Sequence, residues 1–457
     1  MADEEECSNM TKATVRLVSQ EQVTSSPASS VGGRCHLNPP DLAMLSAQHI
    51  QKGLLFTNLP PFLSTCQILD HLKSTLSKAL HHFYPLAGRM ATEKIRNEDG
   101  EVVGLQVHID CNDKGADFIH AVAENITAAD VLSPGDDIPS FVTSFFPLHG
   151  AVGYDGHSTP FVSVQVTELA DRAVFVACCF NHAVGDGSSY WHFFNSWAEL
   201  ARTNTLTRPP VHERWFIQGK TPPITLPFSN PSQFIYRHTP PPLRERFFHF
   251  SAGSVARLKL RANKEVGDGE ATGVISSFQS LGALMWRAVT RARGFRGEQK
   301  TSCRLAIQNR GRLKPPQSPD YFGNSINVVM ATATAGDLEA KGLGWAATKL
   351  NRAVTGYTDA VIREKMRAYH EVPMVYSLRM FDPESVMMGS SPRFDMYGCD
   401  FGWGKAAVVR TGTANKFDGK VSSFRKGRRW ERRFGGLPVA RFHGGAFTGR
   451  RVYGCCF

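Results

Sequence analysis

The segment Phe180-Asn181-His182-Ala183-Val184-Gly185-Asp186-Gly187 sets one imidazole at the end of an apolar run. The run itself, Ala173 to Phe180, is apolar throughout and reads as a strand covered on both sides. Two glycines allow a sharp turn, and an amphipathic helix begins near Ser188. A histidine at a strand end can point into a cleft, and its ordinary pKa of about 6.5 suits a general base at neutral pH. A satisfied core histidine is the plain alternative. The spacing of His182 and Asp186 is weak by itself, because 16 histidines would give about one such match by chance.

Two more segments carry chemistry. Asp400-Phe401-Gly402-Trp403-Gly404-Lys405 places a tryptophan between glycines just before a predicted strand. Its indole N–H could meet a developing oxyanion, or the ring could simply anchor a loop. Asn309-Arg310-Gly311-Arg312 precedes Tyr321-Phe322-Gly323-Asn324, and an arginine there could pair with a carboxylate elsewhere. Cys178 and Cys179 lie just before His182, but neighbours on a strand cannot form a Cys–His pair, so they read as packing groups. There is no Gly-x-Ser-x-Gly elbow, Walker loop or dinucleotide fingerprint. None of the ten cysteines has zinc-site spacing, so no metal is expected.

Alternating elements must position these segments. Leu69, Leu72, Leu76, Leu80 and Phe83 predict a helix over 65–82, stopped by Pro85. Val102 to Ile109, Phe161 to Val166, Arg304 to Gln308, Ile326 to Thr332 and Ala406 to Arg410 read as strands. Helices are predicted over 188–202, after an N-cap at Ser276 or Ser277, and through Leu343 to Val354. Residues 203–245 hold nine of the 26 prolines and read as a crossover. The predicted organisation is α/β, with an N-terminal domain over 1–202, a C-terminal domain over 246–424, and an atypical basic tail over 425–457.

The net charge of +11 suggests nucleic acid or an acidic surface at first sight. Yet nine basic residues and one acidic residue lie in 421–457, so +8 of the charge sits there and the rest is nearly balanced. No nucleic-acid partner is expected. The acidic N-terminus lacks the pattern of a secretory signal, and no apolar stretch approaches the length of a membrane helix. A cytoplasmic, monomeric protein with free thiols is predicted.

Taken together, four motifs in order resemble the plant BAHD acyltransferases. His182 and Asp186 match the family's His-x-x-x-Asp, and Asp400 to Gly404 match its Asp-Phe-Gly-Trp-Gly without a change. Tyr321 to Asn324 and Tyr84-Pro85-Leu86-Ala87-Gly88-Arg89 match two further elements, and the likeness covers about 14–424. The local style looks like a subgroup with mostly unassigned substrates. The resemblance implies two similar chloramphenicol-acetyltransferase-like domains, each a mixed sheet with helices, joined by a long crossover loop and separated by a channel. It implies acyl-CoA as co-substrate, no permanently bound cofactor, and a small alcohol or amine as acceptor. It assigns His182 as the base, Trp403 as oxyanion donor, and Asp400 as a second proton acceptor or, on our reading, a structural residue. Asp186 would fix the loop by pairing with Arg310, with Arg312 as the other choice. Gly187, Gly402 and Gly404 would shape the site. Ser276, Ser277 and Lys405 are weaker candidates for pantetheine or phosphate contacts. The thioester supplies the activation, so a base and an oxyanion donor suffice.

The sequence departs from the family after Asn415-Lys416-Phe417-Asp418-Gly419-Lys420. The family continues through a glycine-rich turn, an alternating strand and a final helix. Here the residues show no clear alternation, and the tail is read as a frameshifted or mis-spliced end. A missing last strand would expose a sheet edge in the second domain. Three other functions compete: a condensation-type domain, a catalytically silent or truncated paralogue, and a basic-surface binder. Asn181 in place of a second histidine argues against the first.

Overall fold

In the computed structural model, the described residues are 14–28, 32–132, 138–239, 242–266, 274–389, 391, 393–424, and the backbone of 439–443. Among them, two six-stranded mixed sheets dominate. The first has the order Arg16–Val23, Ala116–Ala123, Val162–Leu169, Val174–Phe180, Ile50–Phe56, Val408–Thr411. The second has the order Glu245–His249, Val439–His443, Lys420–Phe424, Val386–Gly389, Lys300–Gln308, Ile326–Thr334. Each sheet mixes parallel and antiparallel pairs.

The strand before His182 shows why its sequence is apolar on both faces. Val174, Val176, Cys178 and Phe180 enter one core, while Phe175, Ala177 and Cys179 enter a second on the opposite side. Alternation along a strand sends neighbours to opposite faces, so both faces are covered. Burial pushes the Cys178 thiol up to about 12 and Cys179 well above its usual value. Both therefore stay protonated packing groups rather than nucleophiles.

Helix Thr65–His82 begins with a capping box between Ser64 and Gln67, and buries Leu69, Leu72, Leu76 and Leu80. Helix Gly187–Thr203 packs beside it. The indole N–H of Trp197 reaches the Leu72 carbonyl at 3.2 Å. The described residues of 203–245 hold little regular structure. Within them, Thr225–Leu226 pairs with Val102–Asp110, and one 3-10 turn spans Pro231–Gln233.

Two features run against the sequence expectations. The predicted strand near Ala406 forms over Val408–Thr411, but it joins the first sheet by pairing with Ile50–Phe56. The chain thus crosses back into the N-terminal half before returning to the second sheet. Val439–His443 is also a strand. It lies between Lys420–Phe424 and Glu245–His249 and pairs antiparallel with both. The expected bare edge at Lys420–Phe424 is therefore covered, because backbone hydrogen bonding needs no side-chain alternation. The remainder of the tail, and with it the reading of a frameshifted end, lies outside the described residues.

Candidate active site

His182 follows strand Val174–Phe180 within a turn whose backbone is fixed from several sides. The Asn181 side chain donates to the Gly153 carbonyl at 2.8 Å and accepts from the Ala183 N–H at 2.9 Å. Asn324 Nδ2 donates to the His182 carbonyl at 2.8 Å. The ring itself is less tied: it is half-buried, and its Nδ1 is buried without a partner. Burial lowers its pKa below the usual 6.5, Asp186 opposes that shift, and the charge of Lys420 adds to it. The imidazole is therefore neutral at pH 7 and able to take a proton.

Asp186 turns away from the reacting region. It caps helix Gly187–Thr203 by accepting from the Ser188 and Ser189 N–H groups, each at 3.0 Å. Arg310 meets it bidentately at 2.7 and 3.0 Å, and the Ser325 N–H adds a bond at 3.0 Å. Burial alone would raise this carboxyl, but Arg310 and the N–H donors hold it below the usual range. Arg312 goes elsewhere, to the carbonyls of Val354 and Tyr357. Gly187 is required by close packing: a Cβ there would lie 2.9 Å from the Phe394 ring.

A second buried cluster was not visible in the sequence. Asp41, in a capping box with Asn38, accepts from the Asn324 N–H at 2.8 Å and from its side chain at 2.9 Å. Arg214 lies against Asp41, with Nε 3.1 Å from the carboxylate, and donates to the Val184 carbonyl at 2.9 Å. The Tyr321 hydroxyl accepts from Asn38 at 2.8 Å. Asn38, Asp41, Arg214 and Asn324 thereby hold the outer side of the His182 turn. Only the Tyr-Phe-Gly-Asn element offered a signal for this cluster.

His182 opens into a cavity of about 1870 Å³ lined by residues from both halves of the chain. His49 lines it too. It is 1% exposed, both its ring nitrogens lack partners, and burial pulls its pKa to about 4. Ser276 also lines the cavity, but its side chain is engaged as the N-cap of helix Ser277–Ala292.

Eight of the expected site residues are not in the lining: Asp186 and Arg310, which hold the turn from behind, and Asp400, Gly402, Trp403, Gly404, Lys405 and Ser277. Trp403 is 7% exposed and packs edge-on against Phe56, with ring centroids 5.5 Å apart. Phe401 packs beside it against Trp197 at 4.8 Å. The Asp400 carboxylate folds back on its own loop and accepts from the Gly402 and Gly404 N–H groups, both at 2.9 Å. Those glycines have φ of +99° and +84°, a region that residues with a Cβ avoid. Residues 400–405 thus anchor the crossing strand Val408–Thr411 to the first core. Ser277 and Lys405 are exposed outside the cavity. Trp403 therefore packs in the first core and Asp400 closes its own loop, as the structural reading of that carboxylate expects, and neither is among the residues lining the cavity that His182 faces.

Among the described residues, no group of histidine, cysteine and carboxylate side chains is arranged to hold a metal, and no helix is long and apolar enough to cross a membrane.

Two mixed sheets with helices, and a cavity between them carrying a neutral histidine, define a protein of the two-domain, chloramphenicol-acetyltransferase-like class. Residues 13–431 match a model described as the transferase family. The chain is 35% identical over 407 residues to an uncharacterized acetyltransferase of Arabidopsis thaliana, covering 86% of this chain and 88% of that one. It is 32% identical over 407 residues to the BAHD acyltransferase DCR of the same plant, covering 84% and 81% of the two. The crystal structure of vinorine synthase superposes with a TM-score of 0.71 at 21% identity, covering 95% of each chain, which is a likeness of fold. This chain belongs to the BAHD acyltransferase family.

Proposed function

We propose that the protein moves an acyl group from acyl-coenzyme A to a hydroxyl or amine of a small metabolite, with His182 as general base. The observation that carries this reading is the neutral His182 ring in the wall of a cavity built from both halves. His182 takes the acceptor's proton as its oxygen or nitrogen attacks the thioester carbon. The tetrahedral intermediate collapses with loss of the C–S bond, and the proton passes to the departing thiolate as free coenzyme A. Asp186 and Arg310 position the base without touching substrate. Residues 203–245 serve as the crossover between the two acyltransferase domains, and Ser276 is the remaining candidate near the pantetheine arm.

The test is release of free coenzyme A from a set of acyl-CoAs with mixed alcohol and amine acceptors. His182→Ala should lose about 100- to 10,000-fold of the rate, the usual contribution of a positioned general base. Release that is equal in wild type and His182→Ala, or absent with every donor, would favour the silent paralogue.

A further inference from the structure

The second sheet presents a row of side chains to the cavity. Met330, Arg304, Met387 and Lys420 sit in register on four adjacent strands, and all four line the cavity. Register partners share a face, so Arg304 and Lys420 stand two strand spacings apart, about 10 Å at the backbone. The Lys420 side chain leans over Gly389, where an added Cβ would lie 2.8 Å from the ammonium nitrogen. The missing side chain at 389 is what leaves room for it. Lys420 also lies 5.6 Å from the Phe417 ring centre, and Arg304 5.0 Å from that of Phe381.

Neither cation has a carboxylate partner among the described residues, and the Arg304 Nε is buried without a hydrogen bond. Burial brings Lys420 down to about 8, with no neighbouring carboxylate opposing the shift. Among the described residues, Glu371 is the one acidic residue in the lining, against several lysines and arginines. A recessed, uncompensated cation is costly to keep unless something anionic meets it. Lys420 and His182 line the same cavity, and the lysine's charge adds to the lowering of the His182 pKa. The phosphates of coenzyme A are separated from the thioester by the whole pantetheine arm. A cation that the base senses therefore serves the reacting end of the substrates.

We propose that Lys420, assisted by Arg304, forms an anion subsite beside His182 that selects a carboxylate-bearing substrate. The carboxylate belongs either to the acceptor or to the far end of a dicarboxylic acyl chain. This rests on the acyltransferase reading above and specifies its substrate class.

Calorimetric titrations of the full-length protein separate the sources. In the donor arm, malonyl-CoA is compared with acetyl-CoA. In the acceptor arm, the coenzyme A-saturated protein is titrated with hydroxy acids of graded length, including 4-hydroxybenzoate, and with their methyl esters. Wild type should prefer the charged member of one arm by about tenfold or more, the scale of a hydrogen bond to a charged group. Lys420→Met should abolish that preference, and Lys420→Arg should keep it. Thermal melts check that both variants are folded; if Lys420→Met is not, the Lys420→Gln variant replaces it. No charge preference in either arm, one that survives the loss of the lysine, or equal weakening of every acyl-CoA would each overturn the proposal. Coenzyme A release from neutral substrates reports separately on the acyltransferase reading, which stands if that release depends on His182.

Discussion

Arg310 and Asp186 meet through two hydrogen bonds of 2.7 and 3.0 Å, in a site where their side chains are 4% and 0% exposed. The pair joins the loop after Gln308 to the first turn of the helix that follows His182. One guanidinium also gathers the Ser189 hydroxyl and the carbonyls of Tyr321 and Gly323, at 3.1 to 3.2 Å. The His182 turn is thus held in place by contacts reaching across the two halves.

Breaking that pair leaves a charge buried. Arg310→Ala or Asp186→Ala should lower unfolding free energy by about 3–5 kcal/mol, measured by urea denaturation. Arg310→Lys should recover little, because an ammonium cannot reproduce the planar two-point contact. Full stability in Arg310→Lys would contradict the bidentate account.

The rate should fall on the acid side. His182 has a folded pKa below 6.5, so kcat/KM should be flat near neutrality and decline only as pH drops through that lowered value. A profile with a midpoint above 6.5 would exclude a desolvated His182 as the base.

Stability should fall with acid as well. His49 and His212 each have folded values near 4, set by burial, against about 6.5 when unfolded. The unfolded chain binds more protons between these values, so stability is full above about 6.5 and drains as pH falls toward 4. His49→Gln should flatten this dependence in melts from pH 7 to pH 4.

Trp403 should behave as a packing residue. Trp403→Ala should cost about 3–5 kcal/mol of stability, as large core truncations do. Trp403→Phe should keep most of kcat at a temperature where it stays folded. A kcat loss above about 100-fold in a stably folded Trp403→Phe would restore the oxyanion role, since that is the scale of losing such a donor.

Gly402→Ala should be destabilised by about 1–3 kcal/mol, because alanine at a φ of +99° is strained although space is open around it. Asp400→Ala should be destabilised too, through loss of its two N–H bonds, without moving the pH profile of the rate. A shifted profile in Asp400→Ala would return this carboxylate to the proton path.

Local pattern made the helices and strands flanking His182 legible. The both-faced apolar run, the turn glycines and the helical spacing of Tyr190, Phe193, Trp197 and Leu200 are short-range signals, and they fix where an imidazole ends a strand. The four motifs in order carried the family. Sequence spacing could not reveal Asp41, Arg214, His49 or Lys420 as neighbours of that imidazole, because their proximity comes from strand order and long-range pairing. Motif identity marks the Trp403 loop as one that matters, but not the side of the sheet on which the indole lies. That side was decided when Val408–Thr411 added to Ile50–Phe56, since sheet pairing fixes which side chains enter a core and which face a cavity. The sequence by itself determined that a histidine ends this strand in a glycine-bearing turn. Tertiary structure decided that Arg310 and Asp186 hold that turn, and that Lys420, on a strand of the other sheet, lines the same cavity as His182.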